Sequence, residues 1–210
     1  MPTEQDYKTA RALALDRLEK LDIDACCANA GLSIETISTA KRVTIPYLGN
    51  TYHLTLSDGR ISFDEDDNEL KIPDQVVMLH YLITATGAPV EGKWITFREA
   101  PSGSFYYPAF VKRAIVPLVK CFGHAPEMLE KVAGAVGQIV ELAGDKSLKV
   151  LALPRVPVVL SVWKGDEEFP AEGSIYLDAS VGSYLSTAED VAYLASAVVY
   201  KAIGTARGMR

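Results

Sequence analysis

The sequence has no apolar run long enough to cross a bilayer. Its longest apolar stretches reach about ten residues, and the one at 150–163 is interrupted by Pro154, Arg155 and Pro157. A spanning helix needs about 20. Residues 1–8 are polar, with no apolar segment behind a basic start, so no secretory signal is read there. Cysteine is scarce: there are three, an odd number, and no C-x2-C pair. That argues against a disulfide framework and against the common zinc and iron–sulfur ligand spacings. Basic charge is also short, with 21 Lys and Arg against 27 Asp and Glu. A nucleic-acid surface needs clustered cations, so nucleic acid is not an expected partner. Neither a G-x-S-x-G elbow nor a G-x-x-x-x-G-K-[ST] phosphate loop occurs. These absences leave a cytoplasmic protein with reduced thiols and no membrane partner as the expectation.

What is present is enough apolar material for one core. Hydrophobic residues make up 49% of 210 and charged residues 23%, ordinary values for a folded chain. Residues 1–210 are read as a single domain, with no internal repeat and no low-complexity linker.

Periodicity supplies the elements. Ala10, Leu13, Leu18 and Leu21 predict a helix over 4–21, and 26–31 reads as a small turn. Residues 34–63 read as antiparallel strands. Val43, Ile45 and Tyr47 alternate with polar residues or proline, as do Tyr52, Leu54 and Leu56. Gly49-Asn50 and Ser57-Asp58-Gly59-Arg60 supply the turns. Further helices are predicted over 73–86, over 107–122 with a kink or break at Pro117, and over 126–143. Strands follow at 148–153, 158–163 and 174–177. A last helix starts near Ser186 or Thr187, where Glu189 and Asp190 complete a capping box. Strands and helices come in segregated runs, which defines an α+β fold: antiparallel sheet or sheets packed with about five helices.

Several local patterns have a chemical reading and a plainer one. Asp64, Glu65, Asp66 and Asp67 lack the central glycine and distant glutamate of a calcium loop, so they read as a solvated loop. Cys121 and His124 have C-x2-H spacing and could join Cys26 or Cys27 around a metal; the plainer reading is a buried thiol and a helix-terminal histidine. Gly134-Ala135-Val136-Gly137 follows no strand and reads as helix packing rather than nucleotide binding. His80 sits one turn from Val76 and Thr84 on an apolar face. It is either a satisfied core histidine or an axial metal ligand to a tetrapyrrole, because neutral imidazole donates well to iron or cobalt.

Two segments carry more polar and aromatic chemistry than a core needs. One runs over 92–113 and holds Arg98, Tyr106, Tyr107 and Arg113. The other runs over 153–170 and holds Arg155, Trp163, Asp166, Glu167 and Glu168. Aromatics beside a few polar groups suit a small-molecule pocket. Internal ion pairing, such as Arg98 or Arg155 with a carboxylate from 166–168, is the plainer reading.

Leu79-His80-Tyr81-Leu82 and these two segments together resemble the DUF3786 family, a domain of unknown function found in anaerobic bacteria and archaea. The resemblance runs through most of the chain and implies a setting in anaerobic one-carbon, corrinoid or redox metabolism. Some members carry an added cysteine-rich iron–sulfur module, whose C-x2-C spacings this sequence lacks. The leading expectation is a ligand- or cofactor-binding protein, its ligand a small anion or a tetrapyrrole (corrinoid or haem). Arg98, Arg113 and Arg155 would pair with its carboxylates or phosphates. Tyr106, Tyr107 and Trp163 would pack it, and His80 would be the metal ligand. Asp166, Glu167 and Glu168 would orient the arginines or face a cation. Two alternatives stand beside it. One is an enzyme using carboxylate and tyrosine acid–base chemistry on a small anionic substrate. The other is a non-catalytic module that docks onto a redox or corrinoid methyl-transfer partner.

Overall fold

The chain is described by a computed structural model at residues 2–57, 60–63 and 70–209. The acidic run at 64–67 and the centre of the turn at 57–60 lie outside the described residues. Helix α1 (Glu4–Leu18) opens at Thr3, whose hydroxyl accepts from the Asp6 amide while Asp6 returns a bond to the Thr3 amide. Residues 26–31, expected as a turn, belong instead to helix α2 (Ile23–Ala30). Asp22 caps its start by accepting the Asp24 and Ala25 amides, and Gly31 closes it at φ 67°. Four strands follow as an antiparallel meander: β1 (Ser33–Ile37), β2 (Ala40–Tyr47), β3 (Asn50–Ser57) and β4 (Arg60–Phe63). Val43, Ile45 and Leu54 are buried, as their alternation predicted.

Helix α3 (Ile72–Thr84) begins with Pro73 in its first turn. After strand β5 (Trp94–Thr96) comes one long helical rod in three parts: α4 (Gly103–Phe110), a π-helical turn (Val111–Ile115) and α5 (Val116–Phe122). The disturbance foreseen at Pro117 is present, but as a wide turn rather than a break. Proline has no amide to donate to the Arg113 carbonyl, and the ladder here closes through the Val116 amide to the Val111 carbonyl, five residues back. The rod also starts earlier than expected, at Gly103 rather than near Pro108.

Helix α6 (Met128–Val136) stops well short of the expected end at 143, and strand β6 (Gln138–Val140) takes the remainder. The apolar spacing of 129–143 suits either element; Gly137 decides between them. It lies so close to the next strand that a Cβ there would fall 2.1 Å from the Lys149 carbonyl oxygen. Strands β7 (Lys146–Leu153), β8 (Val156–Trp163) and β9 (Glu172–Asp178) complete a second antiparallel sheet in the order β5-β9-β8-β7-β6. Helix α7 (Ala188–Gly208) is capped by Thr187, whose hydroxyl accepts the Asp190 amide and donates to the Asp190 carboxylate.

Counting 103–122 as one rod, six helices and two antiparallel sheets are present among the described residues, so the α+β reading holds. In register, Leu148, Leu160 and Ile175 lie on one face of the second sheet, and all three are buried. Helices α5 and α7 pack near this sheet, and the α7 stripe of Val191, Leu194, Ala195, Val198 and Ala202 is buried throughout. Residues of both sheets belong to one contiguous buried cluster. The two sheets also meet directly, where the Leu48 amide donates to the Ala152 carbonyl at 3.0 Å. No described helix is long and apolar enough to cross a membrane.

Replacing Gly137 with alanine should lower unfolding stability by about 2 kcal/mol, because the methyl group overpacks a backbone contact. Gly134, with open space around its Cβ position, is the control, and Gly134→Ala should be neutral or stabilising in the same urea titration.

Candidate functional site

Two carboxylates, each in the first turn of a helix, organise the polar interior. Glu189 of α7 accepts the Tyr7 hydroxyl at 2.7 Å and, at its other oxygen, the Tyr106 hydroxyl. Arg113 Nη1 donates to both Glu189 oxygens at 2.9 Å. Asp74 of α3 accepts the Tyr47 hydroxyl at 2.7 Å and the Tyr193 hydroxyl at 2.9 Å. The two centres touch through rings: Tyr193 meets Tyr7 edge-on at 6.1 Å, and the Arg113 guanidinium lies 5.9 Å from the Tyr193 ring centre.

Arg113 reaches Glu189 from the π-helical turn. The arginine side chain is only 13% exposed and that of Glu189 25%, so their charge-assisted bonds are largely shielded from water. Burial, and next the neighbouring carboxylates, push the phenols of Tyr7, Tyr47, Tyr106 and Tyr193 above their ordinary range. These tyrosines therefore stay protonated and act as hydrogen-bond donors.

A cleft of about 700 Å³ opens beside this network. Tyr47, Tyr52, Tyr193 and Tyr200 line it, with Lys71, Lys112, Arg113 and Lys201 among them; among the described residues Asp74 is its one carboxylate. Among the described residues, no carboxylate lies within ion-pair reach of Lys71, Lys112 or Lys201. Asp74 already accepts two phenols, so the cleft presents net positive charge on an aromatic wall.

The sequence-derived candidates divide. Arg113 lines the cleft, and Tyr106 joins it through the Glu189 network. His80 lies on α3, where its Nδ1 sits 2.9 Å from Asp190 Oδ1. Asp190 follows Glu189 in sequence and also accepts the Thr187 hydroxyl at 2.6 Å. The remaining residues do not converge with these. Arg98 stacks on Tyr107 at 3.8 Å, away from the cleft. Arg155 lies against Gly31, its Nε buried without a hydrogen-bond partner. Trp163 sits beside Gly144 at the far end of β8. Asp166 accepts the amides of Phe169 and Glu168, which lower its carboxyl below the usual range, so it folds its own loop. Glu167 and Glu168 are exposed on that loop. The expected pairing of Arg98 or Arg155 with a carboxylate of 166–168 is absent among the described residues.

Cys26 and Cys27 lie on α2, and burial pushes the Cys27 thiol up to about 12. No three His, Cys, Asp or Glu side chains among the described residues are grouped to hold a metal ion. Sequence reading missed Asp74, Glu189, Tyr7, Tyr47, Tyr193 and the three lysines as site residues. Glu189 was visible only as a capping residue. The single local signal pointing here was Pro117, whose effect on the rod falls on the turn that carries Arg113.

Fold and site together define an α+β protein with a cation-rimmed, tyrosine-lined cleft. The chain belongs to the family described as "Domain of unknown function (DUF3786)", whose model matches residues 22–201. No curated protein and no solved structure matches it.

The raised phenols make a pH prediction. A group whose pKa is higher folded than unfolded stabilises fully below its unfolded value and loses that contribution as pH rises through its folded value. The urea midpoint should therefore fall once pH passes about 10, where unfolded tyrosine ionises. Tyr7→Phe/Tyr106→Phe should show a shallower fall over the same range, and an unchanged slope would remove these phenols as the cause.

Proposed function

We propose that this protein binds a small anionic ligand in the cleft between the β2–β3 turn, the start of α3, the π-helical turn and the middle of α7. The observation that carries the reading is the set of cations facing this one cleft in a chain of net charge −6. Unpaired cations held close together repel one another, so the site is better satisfied with an anion than without one. Arg113 is held by Glu189, while Lys71, Lys112 and Lys201 are available to a carboxylate or phosphate. Tyr52 and Tyr200 offer ring faces to a planar ligand, and the volume suits a metabolite-sized molecule. The phenols remain protonated, which favours binding over tyrosine-based acid–base catalysis.

His80 supports a second reading. With Nδ1 directed at Asp190, Nε2 is the ring atom that would meet a metal, and the carboxylate fixes the ring. The side chain is 28% exposed, so an iron or cobalt tetrapyrrole would approach it from the surface. His80 does not line the anion cleft, and that cleft is the stronger reading.

A thermal-shift panel of nucleotides, dicarboxylates and aromatic carboxylates tests the first. At least one class should raise Tm by several degrees. Lys112→Ala/Lys201→Ala should weaken that ligand about tenfold while keeping the unliganded Tm. A panel with no response, or a response the variant leaves intact, overturns the cleft as the site. For the second reading, protein isolated without oxygen and mixed with cobalamin or haemin should show a ligand-shifted absorption band. His80→Ala should lose that band, and a folded variant with an unchanged spectrum ends the role.

A further inference from the structure

The anion cleft does not end at Tyr200. That residue also lines a second cleft of about 450 Å³ between α5, α6 and α7, and Met128 and Ala206 lead from there into a third of about 160 Å³. From Tyr193 to Arg207, α7 carries this groove for about 21 Å at 1.5 Å per residue. The second and third clefts differ in chemistry from the first. Their floor is aliphatic and thioether, with Val116, Met128, Val132 and Ile203, while Lys120, Lys131 and Arg207 provide the cations. None of these cations has a carboxylate within ion-pair reach among the described residues.

The charge segregation is steep. Among the described residues, seven Lys and Arg line the three adjoining clefts, against one carboxylate, Asp74. Positions near helix C-termini account for Lys120 and Arg207 through the helix dipole. The dipole does not account for the exposed apolar surface between them: Val116 is 53% exposed, Tyr200 58% and Met209 54%.

We infer that the groove between α5, α6 and α7 is a docking surface for an acidic amphipathic segment of a partner protein. Apolar side chains on one face of such a segment fill the Met- and Ile-lined floor, and its carboxylates meet the cations. Methionine suits this use, because its flexible thioether adapts to the side chains it receives. Charge complementarity selects an anionic occupant, and the floor selects its class. A single-stranded nucleic acid needs rings on which to stack, and Tyr200 is the one aromatic residue lining the second and third clefts.

The test uses the full chain and a fluorescein-labelled 14-residue peptide with leucines at helical i, i+3, i+4 and i+7 positions and glutamates elsewhere. A scrambled peptide of the same composition and an oligothymidylate are the comparisons. The amphipathic peptide should bind about tenfold tighter than its scramble and should slow iodoacetamide labelling of Cys121, which lines the groove. Lys120→Glu/Arg207→Glu, both exposed positions, should weaken the peptide about tenfold. Lys112→Ala/Lys201→Ala should leave it within about twofold, which separates this surface from the anion cleft. Equal binding of peptide and scramble, tighter binding of the oligothymidylate, or no effect of the charge reversal overturns the proposal. Because the variants for the two sites differ, loss of the anion-cleft reading leaves this result standing, and the reverse holds too.

Discussion

Glu189 is the residue on which most of the polar architecture depends. One carboxylate collects a phenol from α1, a phenol from α4 and a guanidinium from the π-helical turn, at separations of 182, 83 and 76 residues. A largely buried carboxylate is costly unless its lone pairs are occupied. Here they are occupied by three donors on separate elements, so α1, the rod and α7 are fixed together at one point. The position at the start of α7 adds the favourable end of the helix dipole. Asp74 repeats the device at the start of α3, drawing in β2 through Tyr47 and α7 through Tyr193. The cleft wall is thus a by-product of satisfying two half-buried acids.

The fold was legible where a pattern is local. Alternation placed Val43, Ile45 and Leu54 inside, and the capping-box pattern placed the start of α7 at Ser186 or Thr187, of which Thr187 is the cap. It was less legible where one spacing suits two elements. Leu129, Val132 and Val136 continue to Ile139 and Val140 at a helical period, yet the chain leaves the helix at Gly137 because β7 approaches its backbone. A tertiary contact there overrides a local preference. Helix α2 was missed for the opposite reason: its caps, Asp22 and Gly31, are strong, but its interior of small residues and cysteines shows little periodicity.

The candidate site was legible only in part, and the split follows sequence separation. Several polar groups in the two singled-out segments find partners close at hand, while Tyr106 and Arg113 of the first reach Glu189. Asp166 binds the amides of its own turn, Glu99 binds Thr96, and Arg98 covers Tyr107. Asp166, Glu99 and Arg98 are therefore satisfied locally and stay out of the cleft at Arg113. The residues that do converge come from α1, β2, α3, the rod and α7, as single polar positions spread through otherwise ordinary elements. Nothing in the sequence around Tyr7 or Tyr193 marks it, because its partner lies more than a hundred residues away.

Charge completes the argument. In an acidic chain, lysines on a surface pair readily with nearby carboxylates, as Lys8 does with Glu4, Lys20 with Asp16 and Lys146 with Glu130. Such exposed pairs add little stability, and losing one costs little. Lys71, Lys112 and Lys201 have no such partner among the described residues, and the described carboxylate that lines their cleft, Asp74, is occupied by two phenols. The same tyrosines that satisfy Asp74 also withhold it from the lysines. A fold that commits this half-buried acid to phenols leaves neighbouring cations uncompensated, and that residual positive field is what an anion entering the cleft would meet.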